Sequence, residues 1–319
     1  MVDPFLLIYH LLSSKGEKMK IGQINHPSNG VQMVEIKNDL VFLVENKNHK
    51  LITVLDFIRC STESGAKLEE IVEENCCSDP LPFGLNDLNN SANKNKYCLE
   101  LPIHSPEVWA CGVTYKKSAE FRDDDTQTSK GIYDYVYSSN RPELFYKGNE
   151  KHCTGPNNYI GIRKDSSFTA VEPELAVVLD SKKQIVGFMA SNDVSAWDIE
   201  RENPLYLPQS KIFLGCCSIG PLILLASSEI NPYSFSIQCD IKRNGLKIFS
   251  GTTDLNQMKR SINELIEWLF YANPVSDGAV LLTGTGIIQT EDAALREGDI
   301  VEITIPEIGT LKNFAKVVH

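Results

Sequence analysis

Apolar residues along this chain come in short runs broken by turn-forming polar groups, the pattern of a strand-rich protein. Between residues 20 and 45 the segments KIGQIN, VQMVEIK and LVFLVE are separated by Pro27-Ser28-Asn29-Gly30 and by Asn38-Asp39. Two helical stretches are predicted next, near 52–59 and 66–75. In the second, Leu68, Ile71 and Val72 share one face, and Glu69, Glu70, Glu73 and Glu74 take the other. Residues 84–97 are rich in Asn, Asp and Lys and nearly empty of large apolar groups, which predicts a linker. Beyond 98 the candidate strands are 108–111, 144–146, 170–179, 184–193, 221–226, 236–242, 246–250, 280–282 and 299–305. Asn244-Gly245 is a hairpin signal between two of them. Leu255, Met258, Ile262, Leu265 and Leu269 recur at spacings of three and four, predicting a helix over 255–269. The expected class is α+β and strand-rich. Residues 1–18 read as an extension, 19–97 as a small N-terminal α+β domain with its linker, and 98–319 as the main domain.

Composition narrows the function classes. The chain has 319 residues, of which 42% are hydrophobic and 23% charged, ordinary for a globular protein. A net charge of -11, with no Lys/Arg-rich run, argues against nucleic acid as a partner. The nine cysteines include no CxxC, so they suggest neither a zinc knuckle nor a disulfide framework, and a reducing compartment is expected. Residues 4–12 are apolar but follow Asp3 instead of a basic stretch, and they are too few to span a bilayer. The expectation is a cytoplasmic protein with no membrane partner.

Chemistry enters at Glu172-Pro173-Glu174, which runs directly into Leu175-Ala176-Val177-Val178-Leu179. On a strand, residues i and i+2 share a face, so Glu172 and Glu174 are expected to point the same way. Two like charges in apolar surroundings are costly unless a cation neutralises them. Asp193 closes another apolar run, and Lys211 follows it. Three carboxylates offering oxygen only suit Mg2+, Mn2+ or Ca2+ better than zinc. Bound Mg2+ keeps positions open for a substrate's carboxylate and keto oxygens.

Several segments, taken in order, resemble the fumarylacetoacetate hydrolase superfamily. They are residues 171–179, Asn192-Asp193-Val194-Ser195-Ala196, Lys211, Gly220-Pro221, Asn244-Gly245 and Thr283-Gly284-Thr285-Gly286. The resemblance spans roughly residues 107 to 313. It implies a mixed β-sandwich roll for the C-terminal domain, a magnesium site on Glu172, Glu174 and Asp193, and a homodimer or homotetramer.

Two departures from the family pattern stand out. Hydrolases and decarboxylases of the superfamily carry Asn-Tyr-x-x-His-x-x-Glu, with the His as general base. Here Thr114-Tyr115-Lys116-Lys117-Ser118-Ala119-Glu120 puts Ser118 at the His position and the acid one residue early. Serine cannot take a proton from water near neutral pH without a base of its own. Trp197 stands where the family generally has Arg in Ser-Ala-Arg-Asp; Asp198 is kept, and Trp197 reads as a core-packing side chain.

Residues 112–115, 141–147 and 202–209 resemble the branch containing 2-keto-3-deoxy-D-arabinonate dehydratase. That likeness implies proton transfer by Glu143 and Lys211 beside the metal, and substrate binding by Thr285, with Lys147, Tyr115 and Ser195 as further substrate-binding positions. The expected activity is magnesium-dependent dehydration of a 2-keto-3-deoxy sugar acid to a semialdehyde such as 2,5-dioxopentanoate. The alternatives are an acylpyruvate or fumarylacetoacetate-type C–C hydrolase, a 2-oxo acid decarboxylase, or a catalytically silent binding member of the same fold. The sequence leaves open which of Glu143 and Lys211 is the base.

Overall fold

Nearly every residue of the apolar runs finds a buried face, and the runs become strands for that reason. The computed structural model describes residues 18–46, 50–88, 93, 95–116 and 132–319; residues 1–17, Ser118 and Glu120 lie outside the described residues. The N-terminal part supplies β1 (Lys20–His26), β2 (Gly30–Lys37), β3 (Leu40–Leu43), α1 (Val54–Ser64), α2 (Leu68–Asn75), the single turn α3 (Leu85–Leu88) and β4 (Cys98–Leu99). Then come β5 (Val108–Gly112), α4 (Ile132–Ser138), β6 (Glu143–Gly148), β7 (Cys153–Thr154), β8 (Tyr159–Arg163), β9 (Thr169–Ala170), β10 (Pro173–Leu179), β11 (Ile185–Asp193) and β12 (Ser195–Ala196). Helices α5 (Trp197–Glu202) and α6 (Leu207–Lys211) precede β13 (Cys217–Leu225), β14 (Ser236–Arg243), β15 (Leu246–Asp254), α7 (Ile262–Leu269), β16 (Ala279–Leu282), β17 (Ile300–Ile305) and β18 (Gly309–Val318).

The principal sheet runs β3-β2-β1-β13-β11-β10-β16-β5-β6, with β4 paired to β1 and β7 to β13. A second sheet runs β15-β14-β17-β18-β8, and β9 and β12 form a short ribbon. The two large sheets enclose one core: Leu175, Val177, Leu179 and Phe188 meet Ile237, Ile241, Val301, Ile303 and Leu311. On the opposite face of β10, Ala176 and Val178 join Met189 and Val280 against Val54, Phe57 and Ile58 of α1. β10 is therefore buried on both sides, which is why its sequence reads as a continuous apolar run. The N-terminal strands extend the same sheet, since β1 pairs antiparallel with β13, Lys20 opposite Leu224 and Ile21 opposite Ile223.

The mixed sheets and the Asn244-Gly245 hairpin agree with expectation. Both turn residues have positive φ (51° and 79°), as a two-residue turn of this kind requires. Two elements differ. The helix expected over 255–269 is α only from Ile262 to Leu269, after a 3-10 turn at Leu255–Gln257. The Ser261 side chain caps the Glu264 N–H and starts the helix there. Upstream, Lys259 N–H donates to Thr114 O and Met258 bridges to Tyr115, so that backbone is committed to another segment. The strand expected over 170–179 is split between β9 and β10. Val171 N–H goes to Gln289 Oε1 and Glu172 N–H to Asn192 Oδ1, and Pro173 has no N–H to offer.

Candidate metal and substrate site

β10 and β11 pair antiparallel with Pro173 opposite Asn192 and Glu174 opposite Ser191, which brings the start of one strand to the end of the other. Asp193 N–H donates to Glu172 O across this end at 2.9 Å. The result is a buried carboxylate cluster. Ligand-capable atoms of Glu172, Glu174 and Asp193 all lie within 4.8 Å of one another. Glu172 sits one residue before the strand, yet it still converges with Glu174, because the Asn192 side chain holds its backbone.

Two lysines face the cluster, one from β6 and one from α6. Lys147, at the end of β6, is fully buried; its Nζ lies 2.5 Å from Asp193 Oδ1 and donates to Val194 O. Lys211, closing α6, donates to Glu172 Oε1 at 2.8 Å, to Asp193 Oδ2 at 3.1 Å and to Ser195 Oγ at 2.7 Å. Ser195 Oγ in turn donates to Asp193 O. Two ammonium groups against three carboxylates leave a negative balance in a site shielded from water, where charges interact strongly.

The electrostatics follow from that crowding. Burial pushes the Glu174 carboxyl well above its ordinary range, and the Asp193 and Glu172 carboxylates push it further, against the Gly284 N–H that donates to Oε2 at 2.6 Å. Burial is the largest influence on Lys147 and lowers it, but the charge and hydrogen bond of Asp193, together with Cys216, turn the net direction upward. Among the described residues, the buried Glu174 Oε1 has no hydrogen-bond partner. An orphaned carboxylate oxygen in an all-oxygen cluster is what a hard divalent cation would satisfy, and Mg2+ fits the donor set.

The other candidates group around the Thr283–Gly286 turn and the start of β6. Thr283 Oγ1 donates to Leu175 O, so that hydroxyl is committed to holding the turn on β10. Thr285 is buried, and its Oγ1 accepts from Ile287 N–H at 3.1 Å. Tyr115 is buried against Gly286, and its hydroxyl has no partner among the described residues. Burial, then the charges of Glu174 and Asp254, raise its phenol above the ordinary value. Glu143 begins β6 opposite Gly112; a Cβ at Gly112 would lie 2.0 Å from Glu143 Oε2, so a side chain there would displace this carboxylate.

Residues 108–317 match the fumarylacetoacetate (FAA) hydrolase C-terminal family. The chain belongs to the fumarylacetoacetate hydrolase family. Among members of this family, 2-dehydro-3-deoxy-D-arabinonate dehydratase of Saccharolobus solfataricus is 47% identical over 213 residues, 66% of this chain and 72% of that protein. The probable 2-keto-3-deoxyxylonate dehydratase of Haloferax volcanii is 40% identical over 213 residues, 67% of this chain and 73% of that protein. A solved structure of 2-keto-3-deoxy-D-arabinonate dehydratase complexed with magnesium and 2,5-dioxopentanoate superposes with a TM-score of 0.80 at 36% identity, covering 94% of this chain and all (100%) of that one.

Set against the family pattern, Trp197 is the residue whose role the sequence understated. It does pack in the core, edge-on to Phe168 with ring centroids 5.2 Å apart. It also donates from Nε1 to Glu172 Oε1 at 2.7 Å. Nothing in its sequence context signals this bond, because tertiary pairing, β12 with β9 and Asp193 N–H with Glu172 O, brings Trp197 to Glu172. The retained Asp198 pins the neighbouring loop, accepting from Ser166 Oγ and from the N–H and Oγ of Ser167.

Proposed function

We propose that this chain is a magnesium-dependent hydro-lyase that removes water from a 2-keto-3-deoxy sugar acid, 2-keto-3-deoxy-D-arabinonate or a close relative, to give a semialdehyde such as 2,5-dioxopentanoate. The observation that carries this reading is the convergence of Glu172, Glu174 and Asp193 with two buried lysines, in a chain most similar to sugar-acid dehydratases among the relatives above. Glu172, Glu174 and Asp193 would hold Mg2+. When bound, the ion supplies Lewis acidity to the substrate's carboxylate and 2-keto oxygens and so acidifies the C3 protons.

The protein's own groups do the proton work. Glu143 takes a proton from C3, and Lys211 Nζ delivers one to the C4 hydroxyl, which departs as water. Supporting this division, the Lys211 ammonium is held by three acceptors, Glu172, Asp193 and Ser195, so it is set up as a donor. Lys147 keeps Asp193 oriented and lends positive charge toward an anionic substrate. Thr285 and Tyr115 offer hydroxyls to the hydroxylated end of the sugar acid, and Ser195 relays the hydrogen bonds of Lys211. The unsaturated product of dehydration then tautomerises to the aldehyde. We further read the protein as a cytoplasmic homodimer or homotetramer; no helix among the described residues is long and apolar enough to cross a membrane.

The test is a panel of 2-keto-3-deoxy pentonates and hexonates, with added Mg2+ or with EDTA, assayed for semialdehyde. Semialdehyde formation that EDTA abolishes is expected. Cleavage of acylpyruvates, or CO2 release from oxaloacetate, without any dehydration would overturn the reading in favour of a hydrolase or decarboxylase. A Mg2+-dependent rise in Tm with no turnover of any 2-keto acid would instead leave a binding protein.

A further inference from the structure

The indole of Trp197 makes a buried 2.7 Å hydrogen bond to Glu172 Oε1, the same oxygen that Lys211 reaches at 2.8 Å. A carboxylate oxygen with two donors in fixed positions has its rotamer fixed by them. One donor is the Lys211 ammonium, which also serves Asp193 and Ser195. The other is a rigid bicyclic ring, 5% exposed and wedged edge-on against Phe168. One helical turn later, the Arg201 guanidinium lies 4.8 Å from the Phe168 ring centroid and 5.8 Å from the Trp197 ring. Residues i and i+4 of a helix share a face, so α5 presents both side chains to Phe168. A cation over an indole withdraws electron density from the ring and makes its N–H a better donor.

We propose that Trp197 is a positioning residue for the metal site, aiming Glu172 through its neutral N–H, with Arg201 polarising that indole from its outer face. The proposal rests on the metal-binding reading given above and adds who holds the ligand. A guanidinium in direct contact with Glu172 would compete with a divalent ion for the carboxylate; an indole N–H orients the oxygen and adds no opposing charge. Arg201 then tunes the strength of the hydrogen bond through the Trp197 ring, 5.8 Å from its guanidinium.

Metal binding can be read without substrate, by thermal shift and by intrinsic fluorescence during Mg2+ or Mn2+ titration of EDTA-treated protein. The chain has three tryptophans. A variant carrying Trp109→Phe and Trp268→Phe retains Trp197 alone as the reporter. Its emission is expected to change on saturation with metal, at the same midpoint as its thermal shift. Trp197→Phe keeps the ring against Phe168 and removes the N–H; metal affinity is expected to fall ~10-fold or more, the usual effect of losing a partner of a metal ligand. Arg201→Gln leaves the indole in place and is expected to weaken the metal by a smaller factor, with kcat falling more than KM rises. An unchanged emission in the Trp197-only protein at metal concentrations that raise its Tm overturns the proposal. So does a Trp197→Phe protein whose metal affinity stays within about 2-fold of wild type, the margin set against the loss expected above. Absence of sugar-acid turnover with these metal responses intact would overturn the dehydratase reading and leave the role of Trp197 standing.

Discussion

Glu143 and Gly112 depend on each other. The carboxylate lies where a side chain at 112 would be, and the two residues face each other across the β5–β6 ladder. Gly112 is not a residue of positive φ, so alanine there meets the carboxylate and not a forbidden backbone. Gly112→Ala is expected to leave far-UV circular dichroism unchanged and to cut kcat by about 100-fold, the scale of a 1 Å misplacement of a reacting group. At the metal site, Glu174→Gln is expected to abolish the Mg2+-dependent rise in Tm, read by differential scanning fluorimetry across a metal titration. At this scale Glu174 and Asp193 were legible in the sequence because charged residues bordering apolar runs demand an explanation, whereas Lys211 was singled out by the family resemblance. The bond from Trp197 to Glu172 was not, because a tryptophan beside apolar neighbours reads equally well as packing.

Among the elements, β10 shows why a strand could be recognised while its start could not. Its alternation supplies two buried faces, and Leu175→Ala is expected to destabilise the fold by about 2–5 kcal/mol in urea titrations, the usual cost of such a cavity. Its N-terminal boundary depends on Gln289 and Asn192 taking the N–H groups of Val171 and Glu172, contacts from residues far along the chain. The helix expected over 255–269 shortened for a similar reason, since a continuous apolar stripe does not reveal which backbone groups another segment will claim.

The anchoring of α5 has a pH signature. Burial opposes the charge on Asp198, but hydrogen bonds from Ser166 and Ser167 hold its carboxyl below the ordinary 3.8. A depressed carboxyl stabilises the fold fully above the unfolded value and loses that contribution as pH falls through the folded one. Wild-type Tm is therefore expected to drop as pH falls below about 4, where the unfolded carboxyl begins to protonate first. Asp198→Asn is expected to lower Tm at neutral pH and to flatten that acid-side loss.

Across the whole molecule, the N-terminal strands are hydrogen-bonded into the principal sheet, with β1 lying between β2 and β13. We propose that residues 19–97 are a module in sequence that covers the edge of β13 in space. A chain beginning at residue 98 would expose the ladder of β13 opposite Lys20 and Ile21, together with the apolar face that α1 covers. An unpaired edge of this kind is an aggregation surface. Such a truncation is expected to elute as aggregate in size-exclusion chromatography, where the full chain runs as a discrete species.

The sequence alone determined the strand-rich class, the hairpin at Asn244-Gly245 and the presence of buried acids that require a cation. Local alternation, turn chemistry and the cost of burying charge are all written in neighbouring residues. Tertiary structure alone decided that Glu172 joins Glu174 from outside the strand, that Lys147 and Lys211 meet the same aspartate, and that Trp197 holds Glu172. Each of these contacts joins residues from separate elements, and sheet pairing over long separations, which no local pattern encodes, sets their geometry.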